Sequence, residues 1–417
     1  MRHMITEAIG AKKGSNQVTL ETIRAARERI KDAIYRSPCV YSLSLSRLCG
    51  CDVYCKLEHL QMTGSFKERG ARNKLLGLSD SEKKAGVIAA SAGNHALALA
   101  YHGQLLGIPV TVVMPKWAPL VKVANCRSFG AEIILHGESY ADAKEHALAL
   151  ARGRSLAYVP GFDDPAIISG AGTIGLEVLE EVPDCDVVIV PVGGGGLIAG
   201  VGVAVKSLKP DVRLIGVEPL NAPTMDVSLK SGVVTKIPTK PTLADGLAVA
   251  ECGKLCFEIA QNVIDEMLLV DEPQVAQAVL RLLELEKTVV EGGGAVTLAA
   301  AMNPAFDLAG KKVVLILSGG NIDVTVISKI IERGLAADGR LCRITAHVSD
   351  RPGSLAHLTS ILASAAASVK EVYHDRQFAP GDVGMVNIAC ILETRDADHV
   401  RAIGEALKEA GIRFEVR

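Results

Sequence analysis

A lysine, Lys67, follows a phenylalanine in the stretch "TGSFKERGARNKL" (Thr63–Leu75), at what reads as the start of a helix. Ser65 and Glu68 have the spacing of a capping box, with serine at the N-cap and glutamate three residues on. That spacing puts Lys67 in the first turn, where the positive end of the helix dipole disfavours a cation. An amine that must react as a neutral nucleophile gains there, because the dipole and partial burial both depress its pKa. On this segment alone, a solvated lysine on an amphipathic helix explains the residue equally well.

Other stretches also end an apolar run and open a helix. In "PVGGGGLIAG" (Pro191–Gly200), backbone N–H groups of Gly193, Gly194, Gly195, Gly196 and Leu197 can crowd an anion that the helix start faces, which makes a phosphate cradle. Two other readings stay open here. Gly194–Ala199 fits the dinucleotide pattern G-x-G-x-x-A, with Glu218 at the distance of its acidic partner, and close helix–strand packing needs no ligand at all. In "SAGNHALALA" (Ser91–Ala100), Asn94 can cap, Ser91 offers a hydroxyl, and the N–H groups of Ala92, Gly93, Asn94 and His95 can hold a carboxylate. His95 alone reads more readily as a hydrogen-bonded structural histidine than as a catalyst. "LSGGN" (Leu317–Asn321) puts Ser318 at a sheet edge, and "EGGGA" (Glu291–Ala295) sets Glu291 beside a flexible turn, where it is either a site carboxylate or a helix cap.

These turns need a frame, and the pattern from about Val18 to Glu332 supplies one. Strand candidates are Gly86–Ser91, Pro109–Pro115, Ala131–Gly137, Asp186–Val192, Val212–Pro219 and Lys311–Ser318, with helices such as Asn94–Leu106, Ser139–Arg152 and Val275–Glu286 between them. The alternation predicts α/β architecture with a parallel sheet, helices on both faces and ligands at the carboxyl ends of strands. After the polar segment "ERGLAADGR" (Glu332–Arg340) the grammar changes to βαββαβ over Leu341–Arg417, which sets a domain boundary in that segment. At 417 residues, 22% charged and net −2, the chain gives no reason to expect nucleic acid or an anionic membrane as partner. Its most apolar stretch, Asp186–Val205, is broken by proline and glycines and predicts no membrane span. No apolar run near the N-terminus could serve as a signal peptide, and ten cysteines in so long a chain predict free thiols in a reducing cytoplasm. The groups Cys49, Cys51, Cys55 and Cys252, Cys256 lack histidines at zinc spacing, so buried thiols are expected over a metal.

An amine at a helix start, a phosphate cradle, a carboxylate-binding turn and a neutral hydroxyl together suit an amino acid bound to pyridoxal 5'-phosphate. "GSFKERGA", "SAGNH", "GGGGL" and "SGGN", in this order, resemble the threonine dehydratase and serine racemase branch of the β-family pyridoxal phosphate enzymes. The likeness covers roughly residues 18–332, including "DDPAIISGAGTIGLE" (Asp163–Glu177) and "TLADGLAV" (Thr242–Val249). It implies fold type II: a two-subdomain catalytic domain over 1–332, its small subdomain at roughly 53–157, and a linker at 333–340. It also implies that Lys67 holds the cofactor as a Schiff base, Phe66 packs on the ring and Asn94 bonds the ring oxygen. Gly193–Gly196 and Leu197 would hold the phosphate, with Glu291 nearby and Ser318 facing the pyridine nitrogen. Ser91, Ala92, Gly93, Asn94 and His95 would bind the substrate. A neutral hydroxyl at the ring nitrogen weakens the electron sink and favours prompt loss of a β leaving group. The implied reaction has the freed Lys67 amine abstract the Cα proton while the β-hydroxyl leaves, protonated through the cofactor phosphate; the released enamine hydrolyses. L-Threonine would give 2-oxobutanoate and ammonia, as in isoleucine biosynthesis, with L-serine giving pyruvate on the side. Alternatives are a serine racemase or serine dehydratase of the same family, or a non-catalytic amino-acid sensor.

The chain also departs from the family pattern. Leu97 and Ala98 alter the helix after "SAGNH", which predicts changed packing, and nothing in the sequence explains Ala171 in "SGAGT". Glu218 and Ala222 match a divalent-metal site of the racemases, but Thr224 stands where a carboxylate is expected, so no tightly bound metal is predicted. Ala92 stands where racemases carry a second serine, and its methyl has no proton to deliver. Leu341–Arg417 resembles an ACT domain on the strength of "SDRPGSLAHL" (Ser349–Leu358), with Asp350 and Gly353 expected at an amino-acid effector. Isoleucine or valine is the first candidate, and a ligand-free assembly module is the alternative. Such units commonly pair, so a homo-oligomer, dimer or tetramer, is expected.

Overall fold

The structure is a computed structural model that describes residues 17–376 and 384–416. Two units divide at Ile322/Asp323. Short strands build the first. They are β1 (Cys39–Tyr41), β2 (Asp52–Lys56), β3 (Val87–Ala90), β4 (Val110–Met114), β5 (Glu132–Leu135), β6 (Ala157–Tyr158), β7 (Val187–Pro191), β8 (Arg213–Pro219), β9 (Glu266–Val270) and β10 (Lys312–Ile316). Those at its centre, such as β3, β4 and β7, are buried throughout. The larger sheet runs β1-β2-β10-β7-β8-β9 and is parallel except for the edge strand β1. The smaller runs β5-β4-β3-β6, all parallel. Strands such as β7 and β10 are apolar on both faces because helices cover both, the condition under which parallel sheets persist.

The carboxyl ends of these strands deliver the chemistry-bearing turns. The glycine run leaves β7, Leu317–Asn321 leaves β10, Ser91–Gly93 leaves β3, and the segment to Lys67 follows β2. The six expected strands all form. The others, β1, β2, β6 and β9, are short or only partly β-branched, and tertiary pairing makes them. One expectation moves. β2 lies between β1 and β10 in the larger sheet, with Val53 and Cys55 buried, so the smaller layer's sheet begins at β3 and not at residue 53. The "SGAGT" segment sits in the helix Pro165–Glu181, where a Cβ on Gly170 would come within 2.5 Å of the Arg69 carbonyl oxygen. The small residues there let helix backbones touch.

The expected linker at 333–340 is mostly helix. Val324–Ala337 is continuous, Asp323 caps it through the Thr325 N–H, and Ile330 and Gly334 are buried four residues apart. Composition made the segment look like a tether, but the fourfold burial spacing makes it a helix that belongs to the second unit. That unit then adds β11 (Leu341–Ser349), β12 (Ser368–Asp375), β13 (Met385–Glu393) and β14 (Arg413–Val416), antiparallel in the order β12-β13-β11-β14. Helices Ser354–Ser364 and Ala397–Glu409 share one core with the alternate residues Cys342, Ile344, Ala346 and Val348 of β11. This is the βαββαβ order expected for an ACT-like unit. Two ends of its expected strands, Gln377 and Arg417, lie outside the described residues.

Candidate active site

Lys67 opens the helix Lys67–Leu76, and Phe66 occupies the cap position without a side-chain bond. The expected capping box does not form. The Ser65 hydroxyl is buried with no hydrogen-bond partner among the described residues, and the Glu68 carboxylate turns instead to the Thr63 N–H and to His102. The reason is pairing of the preceding turn with the end of β10. Ser65 forms an antiparallel bridge with Gly319, and the Phe66 N–H donates to the Ser318 carbonyl at 3.0 Å. Two chemistry-bearing stretches are thereby joined. The half-buried Lys67 Nζ donates to the Gly161 carbonyl at 2.7 Å and lies 5.1 Å from the Phe66 ring centre. Burial pushes this amine down to about 8, against the pull of the neighbouring Cys256 and Glu291. The amine is therefore half-neutral at about pH 8, where a solvated lysine would be almost wholly charged.

Asn94 is the first residue of its helix, and Gly93 takes the cap position, so the Asn94 amide is free for other partners. Its Nδ2 donates to Glu291 Oε1 at 2.7 Å, and its Oδ1 accepts from Asn321 Nδ2 at 2.9 Å. Asn321 Nδ2 also donates to the Thr63 carbonyl at 2.7 Å, returning to the loop before Lys67. Burial, reinforced by Asp245, pushes the Glu291 carboxyl up to about 7. Glu291 fills both roles left open by its sequence. Its backbone precedes the helix Gly292–Ala301, while its carboxylate makes no cap bond and faces Asn94.

Within the glycine run Gly195 takes the cap position with a φ of +95° that suits glycine, and the helix Gly196–Leu208 begins on the last glycine. A Cβ on Gly194 would fall 2.4 Å from the Phe162 ring. The dinucleotide reading fails at its acidic residue. Glu218 is buried and accepts the N–H groups of Met225 (2.8 Å) and Asp226 (2.9 Å), which leaves it unavailable to a ribose. Burial pushes its carboxyl up to about 8, and Thr224 Oγ1 donates to the Val249 carbonyl at 2.5 Å. Ser318 is buried with Oγ 3.5 Å from the Gly293 carbonyl oxygen. The Ser91 hydroxyl accepts the Gly93 N–H at 3.3 Å, and Ala92 packs on the smaller sheet's core. His95 Nε2 lies 3.0 Å from the Val159 carbonyl oxygen; burial and the nearby Lys67 push the ring down to about 4, so it is neutral.

Hydrogen bonds thus gather the turns of Lys67, Asn94, Glu291 and Ser318, and Gly161–Phe162 ties Lys67 to the glycine run. Sequence reasoning missed Gly161, Phe162, Asp245 and Asn321. Asp245 and Asn321 stood inside quoted motifs, but a carbonyl such as that of Gly161 leaves no trace in residue type. In the second unit, Asp350 and Gly353 line a cavity of about 370 Å³ with Ser354, His374 and Arg376. Arg376 Nε lies 3.2 Å from Asp350 Oδ1.

A glycine cradle with no room for a Cβ, a desolvated amine and a buried hydroxyl fit pyridoxal phosphate. Together with the parallel α/β fold they define a fold type II pyridoxal phosphate enzyme. The chain belongs to the family of pyridoxal-phosphate dependent enzymes, whose model matches residues 30–319. An L-threonine ammonia-lyase of Thermotoga maritima is 47% identical over 400 residues, spanning 96% of this chain and 99% of its own length. The processed form of threonine deaminase isoform 2 from Solanum lycopersicum superposes with a TM-score of 0.72 at 37% identity, over 78% of this chain and 94% of that one. Maize serine racemase does so with a TM-score of 0.72 at 33% identity, over 77% and 98%.

Proposed function

We propose that the chain is an L-threonine ammonia-lyase, giving 2-oxobutanoate and ammonia, with L-serine as a slower substrate giving pyruvate. The observation that carries this reading is the Thermotoga maritima relative, whose likeness runs through both units, beside an amine lowered to about 8 at the head of the site. Bound in the cradle, pyridoxal phosphate supplies the sink for electrons released at the substrate's α carbon. The N–H groups of Gly193–Gly196 and Leu197 would hold its phosphate, and Phe66, Asn94, Glu291 and Ser318 would line the place of its ring. The turn Ser91–His95 holds the substrate carboxylate with backbone N–H groups, and the neutral His95 adds no competing charge. Lys67, neutral above about pH 8, takes the α proton as general base. The β-hydroxyl departs as water, the proton it needs balancing the one Lys67 takes from the α carbon, and the enamine released takes up water to yield the 2-oxo acid and ammonia.

Maize serine racemase shares the fold equally well, so fold alone does not choose between elimination and racemisation. Ala92 favours elimination, since its methyl offers no proton for return to the α carbon. A sensor without catalysis would have no use for the amine of Lys67. An assay of 2-oxo acid and ammonia against L- and D-hydroxy amino acids tests the reading. Turnover of L-threonine without D-threonine supports it, and accumulation of D-amino acid overturns it.

For the second unit, the effector is an amino acid, isoleucine or valine first, held at Asp350 and Gly353. The cavity beside the Gly353 turn supports this. A homo-oligomer is supported by exposed apolar side chains on neighbouring segments of the first unit: Tyr35, Leu43, Leu60, Met62 and Val289. Ten free thiols support a reducing cytoplasm, and among the described residues no helix is long and apolar enough to cross a membrane.

A further inference from the structure

The helix that starts at Lys67 is polar yet enclosed, and polar bonds anchor it to its neighbours. On one side Arg69 pairs with Glu58 at 2.7 Å and Glu177 at 2.6 Å. Further along, Asn73 donates to the Ala166 carbonyl at 2.7 Å and Lys74 pairs with Asp164 at 2.6 Å. Towards the smaller sheet the contact is of a different kind. Glu68 and His102 are both fully buried, with His102 Nε2 3.2 Å from Glu68 Oε2. His102 Nδ1 has no partner among the described residues, so the ring's hydrogen bond is the one to Glu68. His102 lies on the helix Asn94–Leu106, whose first turn carries Asn94 and His95. The other Glu68 oxygen accepts the Thr63 N–H, and the Thr63 carbonyl continues through Asn321 and Asn94 to Glu291.

We propose that Glu68 and His102 are positioning residues. Their buried pair locks the Lys67 helix to the helix that begins at Asn94, and the Glu68 carboxylate fixes the turn Thr63–Ser65 so that Asn321 and Asn94 stay aligned on Glu291. Neither residue touches substrate. The pair acts by holding the amine and the carboxylate-binding turn at one separation, and small misplacements of reacting groups are costly in rate. The inference rests on the roles given above to Lys67 and Asn94, so one of its tests does not involve turnover.

The experiment compares the full-length holoenzyme with Glu68→Leu, Glu68→Gln and the double variant Glu68→Leu/His102→Leu. Hydrogen exchange is followed at Thr63–Phe66 and Asn94–Leu97, alongside kcat and KM for L-threonine and the melting temperature. Leucine leaves the Thr63 N–H without an acceptor. Exchange there should quicken about tenfold or more, and kcat should fall about tenfold with KM within about twofold. Glutamine keeps an acceptor for Thr63 and should restore protection and most of kcat. The double variant, in which His102 is no longer stranded but the Thr63 N–H still lacks its acceptor, should recover part of the melting temperature but not kcat. Unchanged exchange and kcat in Glu68→Leu would overturn the proposal, as would a double variant that recovers both stability and kcat. If Glu68→Leu does not fold, Glu68→Gln decides: protection with retained kcat supports the proposal, and a loss of kcat despite protection overturns it. A wild-type protein inactive on threonine would refute the lyase reading, while the exchange data would still test the clamp.

Discussion

In the first unit, ionisable side chains are taken inside: Lys56, Glu58, Glu68, Arg69, His102, Glu177, Glu218 and Glu291 are all buried. In the second, His399 is the buried polar side chain among the described residues, and the rest of the core is aliphatic with two cysteines. The polar groups of the second unit's cavity stay wet. Asp350 and Arg376 have side chains 37% and 64% exposed, so their charges resemble those of any surface pair. The contrast matches the two tasks proposed for the units. Chemistry at an amine requires groups whose ionisation burial has shifted, whereas reversible capture of a zwitterion needs only an accessible rim and a few directed bonds.

The largest test of that contrast is Lys67→Ala. It should remove the yellow colour that borohydride bleaches and lower turnover by more than about 10³-fold, since in the proposed reaction one amine both anchors the cofactor and moves the proton. Spectra of the purified variant and a 2-oxo acid assay check both. Residual threonine turnover near the wild-type rate would mean that the desolvated amine is not the base.

The next effect is a pH dependence of stability in protein freed of cofactor. Burial raises the Glu291 carboxyl to about 7 from 4.5, so between those pH values the unfolded chain gives up its proton first and is favoured. The Glu291 share of stability should fall as pH rises through that window, by about 3 kcal/mol at 1.36 kcal/mol per unit. Lys67 acts in the opposite sense. Its amine is lowered to about 8 from 10.5, so between those values the unfolded chain holds more protons and stability rises with pH. Glu218, raised to about 8, adds to the fall, and His95, lowered to about 4, opposes it below about pH 6.5. The check is therefore the difference between denaturant titrations of wild type and Glu291→Gln. The variant should lack the Glu291 share between pH 4.5 and 7 and keep the rise above pH 8.

A third, smaller effect concerns the cradle. Gly194→Ala drives a methyl toward the Phe162 ring, 2.4 Å away, and the ring must shift. Overpacking of this kind costs about 1–3 kcal/mol, so cofactor affinity should weaken by roughly 10–100-fold. Titration of the cofactor-free variant with pyridoxal phosphate reads this directly. An unchanged affinity would show that the loop yields and that the four glycines are not needed as a set.

The same contrast explains what the sequence could reveal. Strands such as β7 and β10 were legible because parallel strands covered on both faces must be apolar and β-branched throughout. Lys67, Asn94, the glycine run and Ser318 were legible because each stands at a strand end beside glycines. Local pattern failed where a distant partner decides. Ser65 looked like a helix cap, but pairing with Gly319, 254 residues away in sequence (319 − 65), took its backbone elsewhere. The helix Val324–Ala337 was read by composition when its spacing of Ile330 and Gly334 held the information. His102 carried no signal at all, because its meaning comes wholly from Glu68 across a helix interface.

The smallest expected effect falls in the second unit. Asp350→Asn removes one charge from an exposed pair with Arg376, and exposed pairs contribute about 0–1 kcal/mol. Melting temperature and basal turnover should therefore stay close to wild type, since the residues assigned to catalysis end at Ser318. The response to an added amino acid should not survive. A carboxylate at the cavity rim is suited to the ammonium of a free amino acid, and an asparagine in its place keeps the shape without the charge. Coupling between an effector and a catalytic unit is typically about 1–3 kcal/mol, or 5–150-fold in affinity, large enough to read by titrating isoleucine or valine against threonine saturation curves. A chain cut after Ile322, at the boundary between the units, supplies the matching control: turnover retained, response lost. If Asp350→Asn responds as the wild type does while the shortened chain does not, the effector is held elsewhere in the second unit. If both respond, the wet cavity is no regulatory site, and burial against exposure of charge does not divide the two tasks.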